Sequence, residues 1–132
     1  MVNSILAMSP EEQDRQLPQI LGDYPNTYTY TKAFAERTLK KRRQPNLPVV
    51  IVRPSIIIGA VAEPLPGWTD TFSAAGGLTL AGGIGIVNFV NGNGENISDL
   101  VPVDYVSNCI IVSTALNANK PGLSVIHSAT SH

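Results

Sequence analysis

Tyr28 and Lys32 stand four positions apart in the stretch PNTYTYTK, residues 25–32. On a helix this spacing places both side chains on one face, whereas Tyr30 projects elsewhere. A phenol titrates at about pH 10, and a nearby ammonium favours the phenolate and so lowers the tyrosine pKa. Tyr28 could then donate a proton to a carbonyl oxygen as hydride reaches the carbon, or accept one in reverse. Alone, the pair is weak evidence, since this spacing also occurs between ordinary neighbours on helix surfaces.

The residues around this pair predict a helix between Pro25 and Pro45. Asn26 and Thr27 supply capping signals, and the basic residues 40–43 suit the negative end of the helix dipole. Pro45 cannot continue the helix. The basic run could be read as an anion site, but a solvated helix end is the simpler interpretation.

A strand follows in the run LPVVIVRP, where β-branched residues 49–52 lie between two prolines. This pattern is typical of a strand buried on both faces in a parallel sheet. The strand ends in Arg53-Pro54-Ser55-Ile56, and open parallel sheets bind ligands beyond the carboxyl ends of their strands. We therefore expect this strand end and the Tyr28–Lys32 pair to face one crevice.

The remainder of the chain predicts further alternation of helices and strands. Residues 59–85 are rich in glycine and proline and predict a long loop with at most one short helix. Residues 86–90, IVNFV, predict a strand, VPVDYVSNCIIVSTALNA predicts a helix that begins at a proline, and GLSVIH predicts a last strand. The order indicates an α/β fold with a parallel sheet and flanking helices.

Composition narrows the class of partner. The 132 residues carry a formal net charge of −1, so no global field attracts nucleic acid or anionic lipid, and a small-molecule partner is favoured. No apolar stretch reaches the roughly 18 residues of a membrane-spanning helix, and the N-terminal residues lack the pattern of a signal peptide. The single cysteine, Cys109, lies in an apolar run and fits a reducing compartment. We expect no metal site.

Four stretches together resemble the extended short-chain dehydrogenase/reductases and, more narrowly, the reductase domain of the alcohol-forming fatty acyl-CoA reductases. They are PNTYTYTKAFAE, LPVVIVRPSIIIGA, EPLPGW and DLVPVDYVSN, in the order of that family. Four linked motifs are far more specific than a lone YxxxK. The resemblance implies a partial Rossmann-like parallel sheet with flanking helices, the C-terminal part of an extended short-chain dehydrogenase/reductase domain.

The resemblance also implies roles for particular residues. Tyr28 would be the proton donor, and Lys32 would bind the nicotinamide ribose while lowering the tyrosine pKa. Pro54, Ser55 and Ile56 would line the nicotinamide. The implied cofactor is NADPH, and the implied substrate is a long-chain acyl-CoA, reduced first to an aldehyde and then to a primary alcohol. Each step places negative charge on a carbonyl oxygen that Tyr28 could protonate.

The chain departs from the family in what precedes the tyrosine. The family holds the cofactor pyrophosphate in a glycine-rich turn after a strand, and nothing before Tyr28 supplies that turn. Residues 82–89, GGIGIVNF, lack the third glycine of the GxGxxG pattern. They also follow YxxxK in the sequence, whereas the family's turn precedes it, so we interpret them as loop. Ser4 is not a credible substitute for the catalytic serine or threonine of the family. We expect residues 1–132 to form a partial NAD(P)-binding reductase domain without the glycine-rich half and the C-terminal family domain.

Four further residues have simpler interpretations. His127, in a predicted strand, is more often a satisfied core or edge histidine than a base, and His132 is terminal. Asp104 is expected to cap or charge a helix N-terminus. Trp68 either contacts the acyl chain, as the resemblance implies, or packs under its loop.

Three interpretations of function stay open. The first is part of a fatty acyl-CoA reductase, which need not be active alone. The second is another extended short-chain reductase or epimerase, against which EPLPGW and LVPVDYV argue. The third is a non-catalytic remnant or interaction module, because an unpaired sheet edge recruits other chains or forms oligomers. The family resemblance implies an intracellular protein associated with the membrane of the endoplasmic reticulum or peroxisome; otherwise we expect a cytoplasmic one.

Overall fold

The computed structural model describes residues 2–72 and 75–131. The chain divides into two compact units, of which the first ends at Gln44 and the second begins at Pro45. Within the described residues the first unit is helical, and all the strands belong to the second.

From residue 2 onward, the first unit has three helices: α1 (Val2–Leu6), α2 (Pro10–Leu21) and α3 (Thr27–Arg42). The helix α2 was not predicted, although its start carries a clear signal. The hydroxyl of Ser9 accepts the backbone N–H of Glu12 at 3.3 Å, and Pro10 occupies the first helical position. A serine followed three residues later by glutamate is the capping-box pattern. The helix ends at Leu21 and is followed by the capping residue Gly22, whose φ of 57° favours glycine.

The helix α3 confirms the prediction made for residues 25–45. Asn26 caps its start, because the side-chain oxygen accepts the backbone N–H of Thr29 at 2.9 Å. The basic residues Lys40, Lys41 and Arg42 form its last turn, where they complement the negative end of the dipole.

In the described residues of the second unit there are four strands and two helices: β1 (Pro48–Pro54), β2 (Ile56–Ile58), α4 (Ala75–Gly83), β3 (Leu100–Pro102), α5 (Val103–Asn117) and β4 (Gly122–Ser128). Two parallel pairs form, β1 with β4 and β2 with β3, in which Val50 pairs with Ser124 and Ile57 with Val101. The helix α5 packs against both β1 and β4. Parallel strands with flanking helices confirm the predicted α/β class.

The buried apolar side chains of the second unit lie around the start of α5. Ala60, Val101 and Val106 are the hydrophobic residues buried in the described chain. Two of them, Val101 in β3 and Val106 in α5, flank the turn from strand to helix. The core of this unit is therefore centred where β3 passes into α5.

Two predictions about strands were wrong. Residues 48–52 of β1 are half-buried and the last two residues are exposed, so this strand is not buried on both faces. Burial on both faces requires helices on both, and within the second unit α5 is the helix that packs on β1. Residues 86–90 form no strand, and Phe89 is 89% exposed. A short apolar run is compatible with several structures, and a strand also needs a partner with which to pair.

The other elements of the second unit confirm or extend the predictions. The helix after Pro102 and the strand at GLSVIH occur as α5 and β4. In the described part of residues 59–85, α4 is the one short helix. Gly82 and Gly83 belong to α4, so the segment 82–89 is helical at its start instead of loop throughout. The three-residue strands β2 and β3 were not predicted. Among the described residues, no helix has both the length and the apolar character needed to cross a membrane.

Candidate functional site

Tyr28 and Lys32 lie on the same face of α3, as their spacing predicts. The Nζ atom of Lys32 stands 5.5 Å from the centroid of the Tyr28 ring, which is cation–π contact. Tyr28 is 69% exposed and Lys32 is also exposed, so the phenol hydroxyl and the ammonium are both open to a ligand. The catalytic roles of the two residues stay predictions.

Tyr30 differs from Tyr28 in what it contacts. Its ring stacks on Phe34 at 6.1 Å between centroids and meets Tyr24 edge-on at 5.5 Å. These aromatic contacts stabilise packing within the first unit. Of the two tyrosines in TYTY, only Tyr28 therefore has its ring against the lysine, as the helical spacing predicts.

The cap of α3 sets the position of Tyr28. Asn26 accepts the N–H of Thr29, and the hydroxyl of Thr31 donates to the backbone oxygen of Tyr28 at 2.9 Å. These bonds order the first turn, which carries Tyr28, while Lys32 stands one turn further along. The pair geometry therefore depends on the start of the helix.

Pro54, Ser55 and Ile56 lie together at the point where the chain leaves β1 and enters β2. The Ser55 N–H donates to the oxygen of Ser128 at 3.0 Å, whereas the Ile56 N–H donates to the oxygen of Asp99 at 3.1 Å. The chain thus changes pairing partner between two successive residues. This junction is at the carboxyl end of β1, the place where the sequence predicts a ligand.

The Ser55 hydroxyl is suited to meet a ligand. Its oxygen is shielded from solvent, and no partner within hydrogen-bonding distance is found for it among the described residues. It does lie close enough to Asp99 to contribute a minor lowering of that carboxyl's pKa. A ligand group that bonds to this hydroxyl would compete with the Asp99 carboxylate for it. On either side Pro54 and Ile56 present exposed surface.

Asp99 contacts this junction, because its backbone oxygen accepts the Ile56 N–H. The sequence reasoning missed this role. Its carboxylate accepts the backbone N–H of Thr130 at 3.0 Å and the hydroxyls of Thr130 and Ser131. The Ser131 hydroxyl, followed by the Thr130 N–H, holds the Asp99 pKa well below its usual range. The segment after β4 is thereby tied to the residue before β3. No local pattern signals this contact, which joins residues 31 positions apart.

Asp104 lies in the first turn of α5, where its charge was expected. The same carboxylate also accepts the backbone N–H groups of Val61, Ala62 and Glu63, at 3.2, 2.9 and 3.3 Å. These bonds, above all that from Ala62, lower the Asp104 pKa. Asp104 therefore ties the loop after β2 to the helix after β3, a role the sequence did not indicate.

The loop tied by Asp104 carries the PLPGW stretch. Its ends are bonded to each other, since Ala60 donates to the Trp68 oxygen at 2.9 Å and Gly67 to the Ala60 oxygen at 2.8 Å. A Cβ atom on Gly59 would stand 3.2 Å from the Gly67 oxygen, so glycine permits this close approach. Trp68 is 37% exposed and offers part of its ring to solvent.

The remaining candidates add no further chemistry. His127 lies in β4 with an exposed side chain, as an edge histidine, and His132 lies outside the described residues. Over the described ranges, no group of three His, Cys, Asp or Glu side chains could hold a metal ion. The Tyr28–Lys32 pair belongs to the first unit and the 54–56 junction to the second, so their shared crevice stays a prediction.

A parallel α/β fold with a tyrosine and lysine four apart on a helix is the arrangement of a dinucleotide-binding reductase domain. Residues 3–110 match the NAD-binding family described as Male sterility protein. This chain belongs to that family, and the predicted partial Rossmann-like class is confirmed. Because the family is an NAD-binding one, the cofactor class of this domain is a nicotinamide dinucleotide.

Several curated proteins are similar to the chain. Fatty acyl-CoA reductase 1 is 39% identical over 114 residues in Xenopus laevis and 40% identical over 114 residues in Homo sapiens. Fatty acyl-CoA reductase 2 of Mus musculus is 39% identical over 115 residues. Each alignment covers 86% of the chain and 22% of the relative. The resemblance to the fatty acyl-CoA reductases is confirmed, and the chain spans about a fifth of the length of these proteins.

Proposed function

We propose that this chain is part of an NADPH-dependent fatty acyl-CoA reductase that converts a long-chain acyl-CoA to a primary fatty alcohol. The observation that carries the proposal is the placement of the Lys32 ammonium 5.5 Å from the Tyr28 ring on one exposed face of α3. The identity of about 40% to proteins named fatty acyl-CoA reductase supports the substrate class. On this proposal the chain forms only part of the reductase domain.

In the proposed reaction Tyr28 protonates the carbonyl oxygen on which negative charge develops. Lys32 holds the ribose of the cofactor with its ammonium, a strong charge-assisted donor. The bound nicotinamide would supply a hydride in each of two successive reductions, the first of which releases CoA as its thiol and leaves the aldehyde. Pro54 and Ile56 give the nicotinamide an apolar edge, and the shielded Ser55 hydroxyl donates a hydrogen bond to a polar group of the ligand.

Cofactor titration tests this proposal. NADPH is added to the purified 132-residue chain and its fluorescence is followed, with NADH in a parallel titration. We expect Lys32→Ala to weaken NADPH binding by about tenfold or more, the effect of losing a charged hydrogen-bond donor. Lys40→Ala removes an exposed lysine from the last turn of the same helix and should leave binding unchanged.

The role of Tyr28 is tested by reduction of palmitoyl-CoA. We expect Tyr28→Phe to keep the ring over which Lys32 stands but to abolish the reduction, because the proton donor is lost. Tyr30→Phe makes the same change on another face of α3 and should keep activity. No saturable binding at millimolar NADPH would mean that this chain alone is not a reductase.

A second candidate function rests on the open edges of the sheets. Each sheet found in the described residues has two strands, so each strand is paired on one side only. Such edges pair with other chains, and the chain could act as an interaction module or form oligomers. Size-exclusion chromatography over a range of concentrations separates the candidates, because a concentration-dependent oligomer without NADPH binding favours the module.

The cellular location of the parent protein is also proposed. Its family resemblance supports an intracellular protein at the membrane of the endoplasmic reticulum or peroxisome, with a cytoplasmic location as the alternative. Fractionation of cells that express the parent protein, with organelle markers, decides between them.

A further inference from the structure

Two segments leave the same edge of the β2–β3 sheet. The strand β2 ends at Ile58 and β3 at Pro102, and these two residues are partners in the parallel register. The loop of residues 59–68 follows Ile58, and α5 follows Pro102. Because the strands are parallel, both segments start at the carboxyl edge, where folds of this class bind ligands.

Asp104 connects these two segments through a concentrated set of hydrogen bonds. Its side chain is 7% exposed, and its carboxylate accepts the N–H groups of the three successive residues Val61, Ala62 and Glu63. Hydrogen bonds to a charged acceptor are about twice as strong as neutral ones. The carboxylate also stands in the first turn of α5, where the helix dipole favours negative charge.

We propose that Asp104 is a positioning residue that holds the loop of residues 59–68 at the carboxyl edge of β2 and β3. The bonds between Ala60 and residues 67–68 close the base of this loop, so the carboxylate fixes a segment whose ends are already joined. Trp68 is carried on that segment, and its position follows from the anchor. A role of Trp68 and its loop in substrate binding rests on the proposed reductase function, whereas the anchoring of the loop by Asp104 does not.

The loop can be observed directly because Trp68 is the single tryptophan of the chain. Its emission wavelength and its quenching by acrylamide report how far the ring is exposed. Asp104→Asn removes the charge and retains the size of the side chain. Since the ring is now 37% exposed, release of the loop should raise its quenching by roughly twofold and shift its emission to the red.

Two variants serve as controls. Asp99→Asn removes a carboxylate that bonds to residues 130 and 131 instead of the loop, and we expect Trp68 to be unchanged. Asp104→Glu keeps the charge on a longer side chain and should restore part of the protection. Far-UV circular dichroism establishes that each variant is folded.

A donor-side variant distinguishes anchoring from simple stabilisation of α5. Ala62→Pro removes the N–H of the shortest bond, 2.9 Å, and leaves Asp104 and its helix intact. We expect a change at Trp68 in the same direction as in Asp104→Asn but smaller, because Ala62→Pro removes one of the three N–H donors. The double variant should change less than the sum of the two single variants, since both substitutions act on the same set of bonds. If Asp104→Asn does not fold, the Ala62→Pro result decides alone.

Trp68 fluorescence tests the anchoring by Asp104, and the NADPH titration tests the proposed function, so each can fail without the other. Unchanged Trp68 in Asp104→Asn, or in Ala62→Pro, overturns the anchoring role whatever the cofactor does. The fluorescence of Trp68 needs no ligand, so failure of the NADPH titration would reject reductase function for this chain alone and would leave the loop measurement unaffected.

Discussion

Removing the cap of α3 should disturb Tyr28 more than Lys32. In Asn26→Ala the backbone N–H of Thr29 loses its 2.9 Å bond to the side-chain oxygen of Asn26. Loss of an N-cap of this kind costs about 1 kcal/mol, which is a factor of about five in a local equilibrium. Tyr28 lies in the first turn and Lys32 in the second, so fraying of the end separates the pair.

Amide hydrogen exchange resolved by residue measures this effect. We expect the Thr29 and Tyr30 amides to exchange about fivefold faster in Asn26→Ala, while amides in the middle of α3 change little. Asn26→Ser retains a capping oxygen and serves as the matched control, with exchange close to that of the parent chain. If the chain reduces acyl-CoA, Asn26→Ala should lower that rate and leave NADPH affinity less affected.

Equal exchange at Thr29 in Asn26→Ala and Asn26→Ser would refute the capping role of Asn26. That result would mean that packing within the first unit, and not the cap, holds the first turn. The aromatic contacts of Tyr30 with Tyr24 and Phe34 would then be the stabilising contacts to test next.

Two further predictions concern the second unit. The Asp99 pKa is depressed, so its contribution to stability is complete above the unfolded pKa of about 3.9 and is lost as pH falls through the lower folded value. The difference in urea midpoint between the parent chain and Asp99→Asn should therefore be constant from pH 7 to about pH 5 and shrink below about pH 4; a difference lost already at pH 6 contradicts this assignment. Val106 is 6% exposed, and Val106→Ala should lower the free energy of unfolding by about 2 kcal/mol, from two buried methyl groups and the cavity they leave. Val112→Ala on the exposed side of α5 should cost less than about 0.5 kcal/mol in the same urea titration, and equal effects would mean that the core is elsewhere.

Local chemistry explains the parts of the fold that were predicted correctly. Asn26 and Pro45 delimit α3 through capping and the missing proline N–H, effects that act within a few residues. Four-residue spacing places Tyr28 beside Lys32 on any helix. The β-branched run in β1 and the proline before α5 act over equally short distances, and both elements were predicted.

The predictions of strands were wrong or incomplete where strand formation depends on a pairing partner distant in sequence. The run IVNFV has the composition of a strand, yet it pairs with no other strand in the part of the chain that the structure describes. The strands β2 and β3 have three residues each and exist because each pairs with the other. No property of three residues alone distinguishes such a strand from a loop.

Sequence by itself determined the helix that carries Tyr28 and Lys32, the parallel α/β class and the family, since capping, periodicity and linked motifs are local or ordered along the chain. Tertiary structure alone decided what Asp99 and Asp104 do. Asp104 meets the Ala62 N–H across 42 positions, and Asp99 meets Thr130 across 31. An isolated aspartate in a sequence predicts a charged helix end or a solvated surface; only folding brings the N–H groups of a distant segment to its carboxylate. The physical reason is that a carboxylate accepts from any N–H group, so its partner is chosen by the path of the backbone and not by the residues beside it.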